Sequence, residues 1–225
     1  VGAPADRTWI IPPGVDLALF VPRPESLSVL VRRRLRLDLA RSLVALVGRV
    51  QPLKGHELAV RALAEIRALR GWAPQLVIVG DATPGHEGFV EELGALAGQL
   101  GVADDIRFVG SLPREDLADL LSVVDLTIVP SFSETFGLVA LESAAAGTPV
   151  IGYRSGGLRE SISEGVSGLL LGTRDPRYWA TEIANLLEND ERRLELGTSA
   201  RASAQRFTWG AAATGLLGVY AAVAR

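Results

Sequence analysis

The sequence predicts an α/β fold, a doubly wound, Rossmann-like parallel sheet with helices on both faces. Short aliphatic runs of four to seven residues alternate along the chain with segments whose apolar residues recur at helical spacing. Hydrophobic residues make up 48% of the chain and aromatic residues only 6%, a composition typical of buried parallel strands and alanine-rich helices. Strands and helices that alternate in this way form one parallel sheet, with the helices covering its two faces.

The apolar pattern predicts both the strands and the helices. The predicted strands are Leu43–Gly48, Gln75–Gly80, Ile106–Gly110, Asp125–Pro130, Thr148–Tyr153 and Gly168–Leu171. The helices predicted between them are Glu57–Leu69, Glu87–Leu100, Arg114–Val123, Gly137–Ala146 and Gly157–Glu164. After the last strand the pattern changes, and consecutive helices are predicted at Pro176–Leu187, Glu191–Phe207 and Trp209–Val223.

Three segments are predicted along the chain. Residues 1–38, which are rich in proline and arginine, are expected to form a leading, interdomain segment. Residues 39–207 are expected to form the sheet domain, and residues 208–225 a C-terminal helix. That helix is apolar around much of its circumference, which indicates a partner on more than one side. The helix is expected to pack either on its own domain or on a neighbouring domain absent from this sequence, and packing on the neighbouring domain is predicted.

Composition and charge exclude several classes of function. With 23 basic and 26 acidic residues, the net charge of −3 disfavours a general nucleic-acid-binding surface. The absence of cysteine excludes disulfides, thiolate metal sites and thiol nucleophiles. No apolar stretch reaches about 18 residues, so no transmembrane segment is expected. A cytoplasmic protein is predicted, with a peripheral position at the inner membrane face left open.

The loop after the first predicted strand, Gly48–Gly55, contains the only lysine of the chain. The loop is not a Walker motif, because no glycine stands directly before Lys54 and because Gly55 stands where serine or threonine would hold magnesium. It also lacks the Gly-x-Gly-x-x-Gly pattern of dinucleotide-binding folds. Arg49 and Lys54 can converge on one diphosphate as two fixed positive charges. The alternative is a solvated loop with two ordinary cations.

The loop after the fourth predicted strand offers a second anion site. A helix that begins at Gly137 would leave the amides of Gly137, Leu138 and Val139 unpaired at its positive end. Two glutamates, Glu134 and Glu142, flank this helix start. If helical geometry connects them, Glu142 lies on about the same face, roughly 12 Å along the axis.

A structural alternative exists for both glutamates. Glu134 would then only cap the helix, and Glu142 would be a surface residue. Against this, Glu142 is surrounded in sequence by apolar residues, where an unpaired charge would be costly. This pattern favours a functional role for Glu142.

These two loops, together with Gly147–Val150 and the pair Gly156-Gly157, resemble the donor-nucleotide half of the family-four retaining glycosyltransferases, two-domain enzymes of the GT-B fold. The resemblance runs from about Ile10 to Trp209, with the motifs in the family's order and spacing. Within the family, the loops are most similar to those of the mycothiol glycosyltransferases, which move N-acetylglucosamine from UDP to inositol phosphate. Sucrose-phosphate synthases and phosphatidylinositol mannosyltransferases are further relatives.

The resemblance implies how the nucleotide would be held. Arg49 and Lys54 would hold the donor diphosphate. The amides of Leu138 and Val139 would contact phosphate, and the Glu142 carboxylate would accept hydrogen bonds from both ribose hydroxyls.

The resemblance also implies contacts at the two ends of the donor. Glu134, Phe136 and Gly137 would meet the hydroxyls of the transferred sugar. The base would lie on the loop after Phe108, where the backbone of Leu112 would read its edge. The family needs no Asp-x-Asp metal motif, and this chain has none, so neither a metal nor a cofactor is expected.

The function that the resemblance implies is transfer of a hexosyl or N-acetylhexosaminyl group, with retention of configuration, from a nucleotide-diphosphate sugar to an alcohol. A UDP-sugar is favoured and a GDP-sugar is the alternative; the acceptor would be a cyclitol, a sugar or a lipid-linked alcohol. Arg49 and Lys54 would stabilise the departing diphosphate, and Glu134 would orient the sugar. The family's acceptor-binding domain precedes this half, so the fragment alone is expected to be inactive.

Two alternatives come from other classes. In the first, the chain would be a nucleotide-binding module without turnover. In the second, it would belong to an epimerase or a glycogen-phosphorylase-like enzyme on a similar architecture. His56 and His86 are expected to lie at helix starts, and neither is assigned the role of the histidine in the family's acceptor domain.

Overall fold

The computed structural model describes residues 8–224, and its six strands form one parallel sheet. The strands are β1 (Leu43–Val47), β2 (Gln75–Val79), β3 (Ile106–Gly110), β4 (Leu126–Val129), β5 (Val150–Tyr153) and β6 (Gly168–Leu171). Their order across the sheet is β3-β2-β1-β4-β5-β6, and each neighbouring pair is parallel. The fold prediction is confirmed, because this order is that of doubly wound nucleotide-binding folds.

All the predicted helices are present, with small shifts at their ends. The helices are α1 (Ser26–Arg34), α2 (His56–Arg70), α3 (Phe89–Gln99), α4 (Arg114–Val123), α5 (Leu138–Ala145), α6 (Leu158–Ser161), α7 (Pro176–Leu187), α8 (Asp190–Ala204) and α9 (Trp209–Val223). Short 3-10 turns lie at Pro52–Lys54 and Ala103–Asp105. No helix within residues 8–224 is long and apolar enough to cross a membrane.

Each face of the sheet buries its own apolar core. Along β1, Val44 and Leu46 pack on one face, against the helices α2 and α7. Leu43 and Ala45 pack on the other face, with residues of α4, α5 and α8. Because both faces are covered, β1 is apolar at every position rather than alternating between apolar and polar residues.

The leading segment contributes to the second core. Phe20 and Val31 are fully or almost fully buried there, and Val15 and Leu37 are buried beside them. Helix α1 was not predicted, because three of its nine residues are consecutive arginines and only Val31 is buried. The described part of residues 1–38 therefore packs on the sheet domain, while residues 1–7 lie outside the description. The interdomain role of the segment stays a prediction.

Helix α9 has no buried residue, although it begins with an ordinary cap in which the Thr208 side chain accepts from the Ala211 amide. Leu217, Tyr220 and Val223 are each more than 60% exposed. The helix therefore does not bury an apolar face on its own domain. Packing on a neighbouring domain stays a prediction, and residue 225 of the predicted segment lies outside the described residues.

Candidate functional site

The strand order creates a crevice at the carboxyl edge of the sheet. The chain runs from β1 outward to β2 and β3, then returns to add β4 on the opposite side of β1. The helices that follow β1 and β4, α2 and α5, therefore pack on opposite faces of the sheet. Open-sheet proteins bind ligands in the crevice at such a point, between the loops that lead into the two helices. Both loops singled out from the sequence follow these two strands.

The first loop is anchored on the second. After the turn Pro52–Lys54, Gly55 adopts a left-handed conformation with φ 77°. A Cβ at this position would lie 2.2 Å from the Pro130 carbonyl oxygen, so only glycine permits the approach. The Phe132 amide also donates to the Leu53 carbonyl over 2.9 Å. The position of Lys54 is therefore fixed relative to the end of β4.

Lys54 and Glu134 meet in the crevice. The Lys54 ammonium donates to Glu134 Oε2 over 2.8 Å, and the two side chains are only 20% and 15% exposed. Such a partly desolvated pair interacts more strongly than a solvated surface pair. The pair borders a cleft of about 230 Å³. Six predicted site residues line this cleft: Lys54, Glu134, Phe136, Gly137, Leu138 and Val139.

The backbone around Glu134 is held by the glycine pair that precedes α6. The Gly157 amide donates to the Glu134 carbonyl over 2.9 Å. A Cβ at Gly157 would lie 2.1 Å from the Thr135 carbonyl oxygen, which leaves no room for any side chain. The glycine pair therefore sets where the Glu134 carboxylate emerges.

The start of α5 is open to the cleft. Gly137 is the N-cap residue, and Leu141 is the first residue of the helix whose amide has a backbone acceptor, the Gly137 carbonyl at 3.2 Å. The amides of Leu138 and Val139 point from the positive end of the helix and have no helical partner. Their N–H groups lie in the cleft that Lys54 borders, an arrangement that favours an anion.

Glu142 lies in the second turn of α5, outside this cleft. The predicted 12 Å path along one helix from Glu134 is wrong, because α5 begins only at Leu138 and residues 134–137 are not helical. Glu142 is therefore about 6 Å along the axis from the start of the helix. It is also not a surface residue, since its side chain is only 13% exposed. Glu134 does not cap the helix, whose N-cap is Gly137 and has no side-chain hydrogen bond.

The electrostatics of Glu142 depend on burial and on one arginine. Burial raises the pKa of its carboxyl group above 4.5, and the charge of Arg114 partly opposes that rise. The Arg114 guanidinium lies 3.6 Å from Glu142 Oε1 and stacks over the Phe20 ring at 5.4 Å. Arg114 follows Leu112 by two residues, so the loop after β3 lies beside Glu142.

The remaining predicted residues are placed less directly. Arg49 is exposed and makes no ion pair within the described part of the chain. Leu112 is half-buried against the second core, in the loop after β3. The Phe136 ring packs edge to face on Phe207, with centroids 5.7 Å apart, so the ring also has a packing role.

The cleft includes residues to which the sequence analysis gave no individual role. They are Pro13, Val47, Gly48, Val129 and Thr135. Pro13 comes from the leading segment, where the Val15 amide donates to the Phe207 carbonyl over 2.9 Å. No local signal in the sequence shows that this segment returns to the cleft.

A larger hollow of about 340 Å³ lies beside the first loop, lined by Pro52, Phe132 and Arg174 among others. Its arginine is already engaged, because the guanidinium stacks 3.2 Å above the Phe132 ring and donates to the Pro130 carbonyl over 2.9 Å. The open amides and the Lys54 ammonium belong to the smaller cleft, which is therefore the better anion site.

The sheet order and the crevice together define a Rossmann-like domain of the nucleotide-binding class. The chain belongs to the glycosyl transferases group 1, whose family model matches residues 30–203. This membership confirms the resemblance identified from the two loops.

Individual relatives agree with the family. The chain is 45% identical to the D-inositol 3-phosphate glycosyltransferase of Acidothermus cellulolyticus, covering 97% of this chain and 49% of that protein. The relative from Thermobispora bispora has the same name and is 41% identical, covering 97% of this chain and 51% of that protein. The chain therefore spans about half the length of these curated relatives.

Among solved structures, the fold is similar to Anabaena HepE in complex with UDP and glucose. The TM-score is 0.87 at 27% identity, covering 98% of this chain and 58% of that one.

Proposed function

We propose that this chain is the donor-binding half of a retaining glycosyltransferase that moves a hexosyl or N-acetylhexosaminyl group from a UDP-sugar to an alcohol. D-inositol 3-phosphate, the substrate in the relatives' names, is the first acceptor to test. The observation that carries the proposal is the Lys54–Glu134 pair at 2.8 Å, beside the open start of α5. It places a cation, a carboxylate and free amides in one cleft.

The arrangement supports one orientation of the donor. The diphosphate lies at the amides of Leu138 and Val139, with Lys54 beside it and Arg49 approaching from the loop. The sugar lies at Glu134. The ribose lies toward Glu142, and the base lies at the loop of Leu112, which the Arg114–Glu142 contact brings close.

The chemistry follows from the charges in the cleft. As the bond to the sugar breaks, negative charge grows on the departing diphosphate, and Lys54 and the α5 amides stabilise it without reorganising. When the diphosphate takes Lys54 as its partner, the Glu134 carboxylate is freed to accept hydrogen bonds from sugar hydroxyls. The leaving phosphate oxygen takes the proton of the acceptor, which attacks from the same face, so Glu134 orients the sugar and is not a covalent nucleophile.

A preceding acceptor-binding domain completes the site in this proposal. The curated relatives are about twice as long as the match to this chain, and α9 offers an unburied apolar surface on which such a domain packs. The chain alone is then expected to bind donor without turnover. A cytoplasmic location, with or without peripheral contact at the inner membrane face, is part of the same proposal.

The activity is tested with the full-length protein, UDP-N-acetylglucosamine and D-inositol 3-phosphate. Release of UDP only in the presence of the acceptor, with an α-linked product by proton NMR, supports the proposal. Sugar transfer to inorganic phosphate, or absorbance from bound pyridoxal phosphate, would instead indicate a phosphorylase. If the protein binds UDP but transfers sugar to no alcohol, the function would be that of a nucleotide-binding module.

UDP is expected to bind this chain without a divalent metal, because Lys54, Arg49 on the same loop and the start of α5 already provide the positive charge. Calorimetric titrations in EDTA and in magnesium should give the same affinity. Loss of binding on chelation would contradict the proposed role of Lys54 and the α5 amides. GDP and ADP serve as competitors that show whether the base is selected.

The affinity for UDP is expected to fall on acidification through the pKa of Glu142, which burial raises above 4.5. The ionised carboxylate accepts hydrogen bonds from two ribose hydroxyls and the protonated group loses this ability, so binding is lost as pH decreases. Arg114→Gln removes a charge that lowers this pKa and should move the midpoint to higher pH.

The pH dependence is measured by UDP titrations at a series of pH values. Pyrophosphate reports the pH dependence that comes from protonation of the diphosphate itself, and the Glu142→Gln variant should retain only that part for UDP. A further loss of UDP affinity on acidification in the Glu142→Gln variant would assign the transition to another group.

A further inference from the structure

His56 is fully buried at the first position of α2, two residues after Lys54. Its ring packs edge to face on Phe89, with centroids 6.3 Å apart. Nδ1 lies 3.3 Å from the Gln51 carbonyl oxygen. Nε2 is buried and has no hydrogen-bond partner within residues 8–224. An imidazole in this place therefore makes one specific polar contact, which is to the first loop.

The contact specifies the state of the ring. Burial, with the nearby Lys54 charge, lowers the pKa of His56 to about 4, so the ring is neutral and carries a single N–H. A carbonyl oxygen only accepts, so the contact to Gln51 requires that hydrogen on Nδ1. The same carbonyl accepts from the Lys54 amide over 3.1 Å. The Gln51 carbonyl is therefore held by two donors, the amide of the last residue of the turn Pro52–Lys54 and the His56 ring.

Packing alone does not account for a histidine here. Leucine would fill a comparable buried volume at the start of α2 and would leave no buried nitrogen without a partner. What the imidazole adds is the hydrogen bond to the carbonyl of Gln51, the residue that precedes the turn Pro52–Lys54. This bond links the turn to the start of α2. That turn determines where the Lys54 ammonium lies.

We propose that His56 is a positioning residue for Lys54, donating from Nδ1 to the Gln51 carbonyl so that the turn presents the ammonium to the cleft. The inference rests on the proposed function, in which Lys54 holds the donor diphosphate. His56 touches neither the donor nor the reacting atoms. Its loss should therefore weaken contacts to phosphate and leave contacts to the nucleoside unchanged.

The test compares three variants at His56, and one at Lys54, using ligands that differ in their phosphate groups. His56→Leu should lower the affinity for UDP and for pyrophosphate roughly five- to tenfold, as expected for one hydrogen bond, and leave uridine binding unchanged. His56→Asn places an amide nitrogen near the Nδ1 position and should restore most of the UDP affinity. His56→Gln places its amide near the Nε2 position instead and should not.

Calorimetry measures UDP and pyrophosphate, saturation-transfer NMR measures uridine, and thermal melting reports whether each variant folds. Equal UDP affinity of the Asn and Gln variants would overturn the inference, as would an equal loss for uridine and UDP. Lys54→Ala distinguishes failure of the positioning role of His56 from failure of the proposed role of Lys54. If Lys54→Ala weakens UDP binding and His56→Leu does not, only the positioning role fails; if neither does, the proposed function of Lys54 fails as well.

Discussion

Replacing Lys54 by alanine in the full-length protein is expected to lower turnover about 100- to 1000-fold, a cost of about 3–4 kcal/mol, as for other single donors to a developing charge. The bound diphosphate is already negative, but it gains further charge as the glycosidic bond breaks. Part of the lysine's interaction therefore exists only in the transition state, so turnover should fall more than donor affinity. Single-turnover rates and UDP-sugar binding, measured on the same variant, separate the two effects.

Lys54→Arg is the matched control for charge. The Lys54 ammonium sits 2.8 Å from Glu134 in a cleft where it is only 20% exposed, so a longer, planar guanidinium does not occupy the same point. The arginine variant should recover only part of the rate. A full rate would show that any cation suffices at this position, and the inferred geometry of the leaving group would have to be abandoned.

Glu142→Ala is expected to weaken UDP binding by about 1.5–3 kcal/mol, because two ribose hydroxyls lose hydrogen bonds to a charged group. Pyrophosphate has no ribose and should bind the variant almost as well as the parent chain. Calorimetry with both ligands provides the comparison.

One side effect and one control belong to this variant. The substitution also removes the partner of Arg114, but that arginine is 60% exposed and should lose little when it returns to water. Glu115→Ala changes a neighbouring exposed carboxylate on α4 and should leave both affinities unchanged. Equal losses of UDP and pyrophosphate in Glu142→Ala would mean that Glu142 acts through the fold of α5 rather than through the ribose.

The sheet was predictable from the sequence because its strands are apolar at nearly every position and are separated by helical patterns. Those signals are local, and the strands of the sheet follow them closely. Helix α1 has no apolar pattern at helical spacing that would predict it. It ends in three arginines and buries only one residue, Val31.

The site was predictable only in part. Lys54 and Glu134 were singled out separately, but their ion pair joins residues 80 positions apart, and no local pattern reports such a contact. The prediction that one helix connects the two glutamates was wrong, because Gly137, with φ 83°, breaks the helical path assumed from spacing alone. The burial of His56 could not be predicted either, because a polar residue at the start of a helix usually lies on the surface.

The glycine contacts of the two loops determine which positions can be varied to change donor preference. At Gly55 and Gly157 a single methyl group would come within 2.2 Å of a carbonyl oxygen, so substitution there moves the loop itself. Leu138 and Thr135 line the same cleft with exposed side chains and carry no such restriction. A combinatorial library directed at sugar selectivity should therefore randomise the exposed lining and keep these two glycines constant, because a variant that loses either glycine also moves the loops that form the cleft.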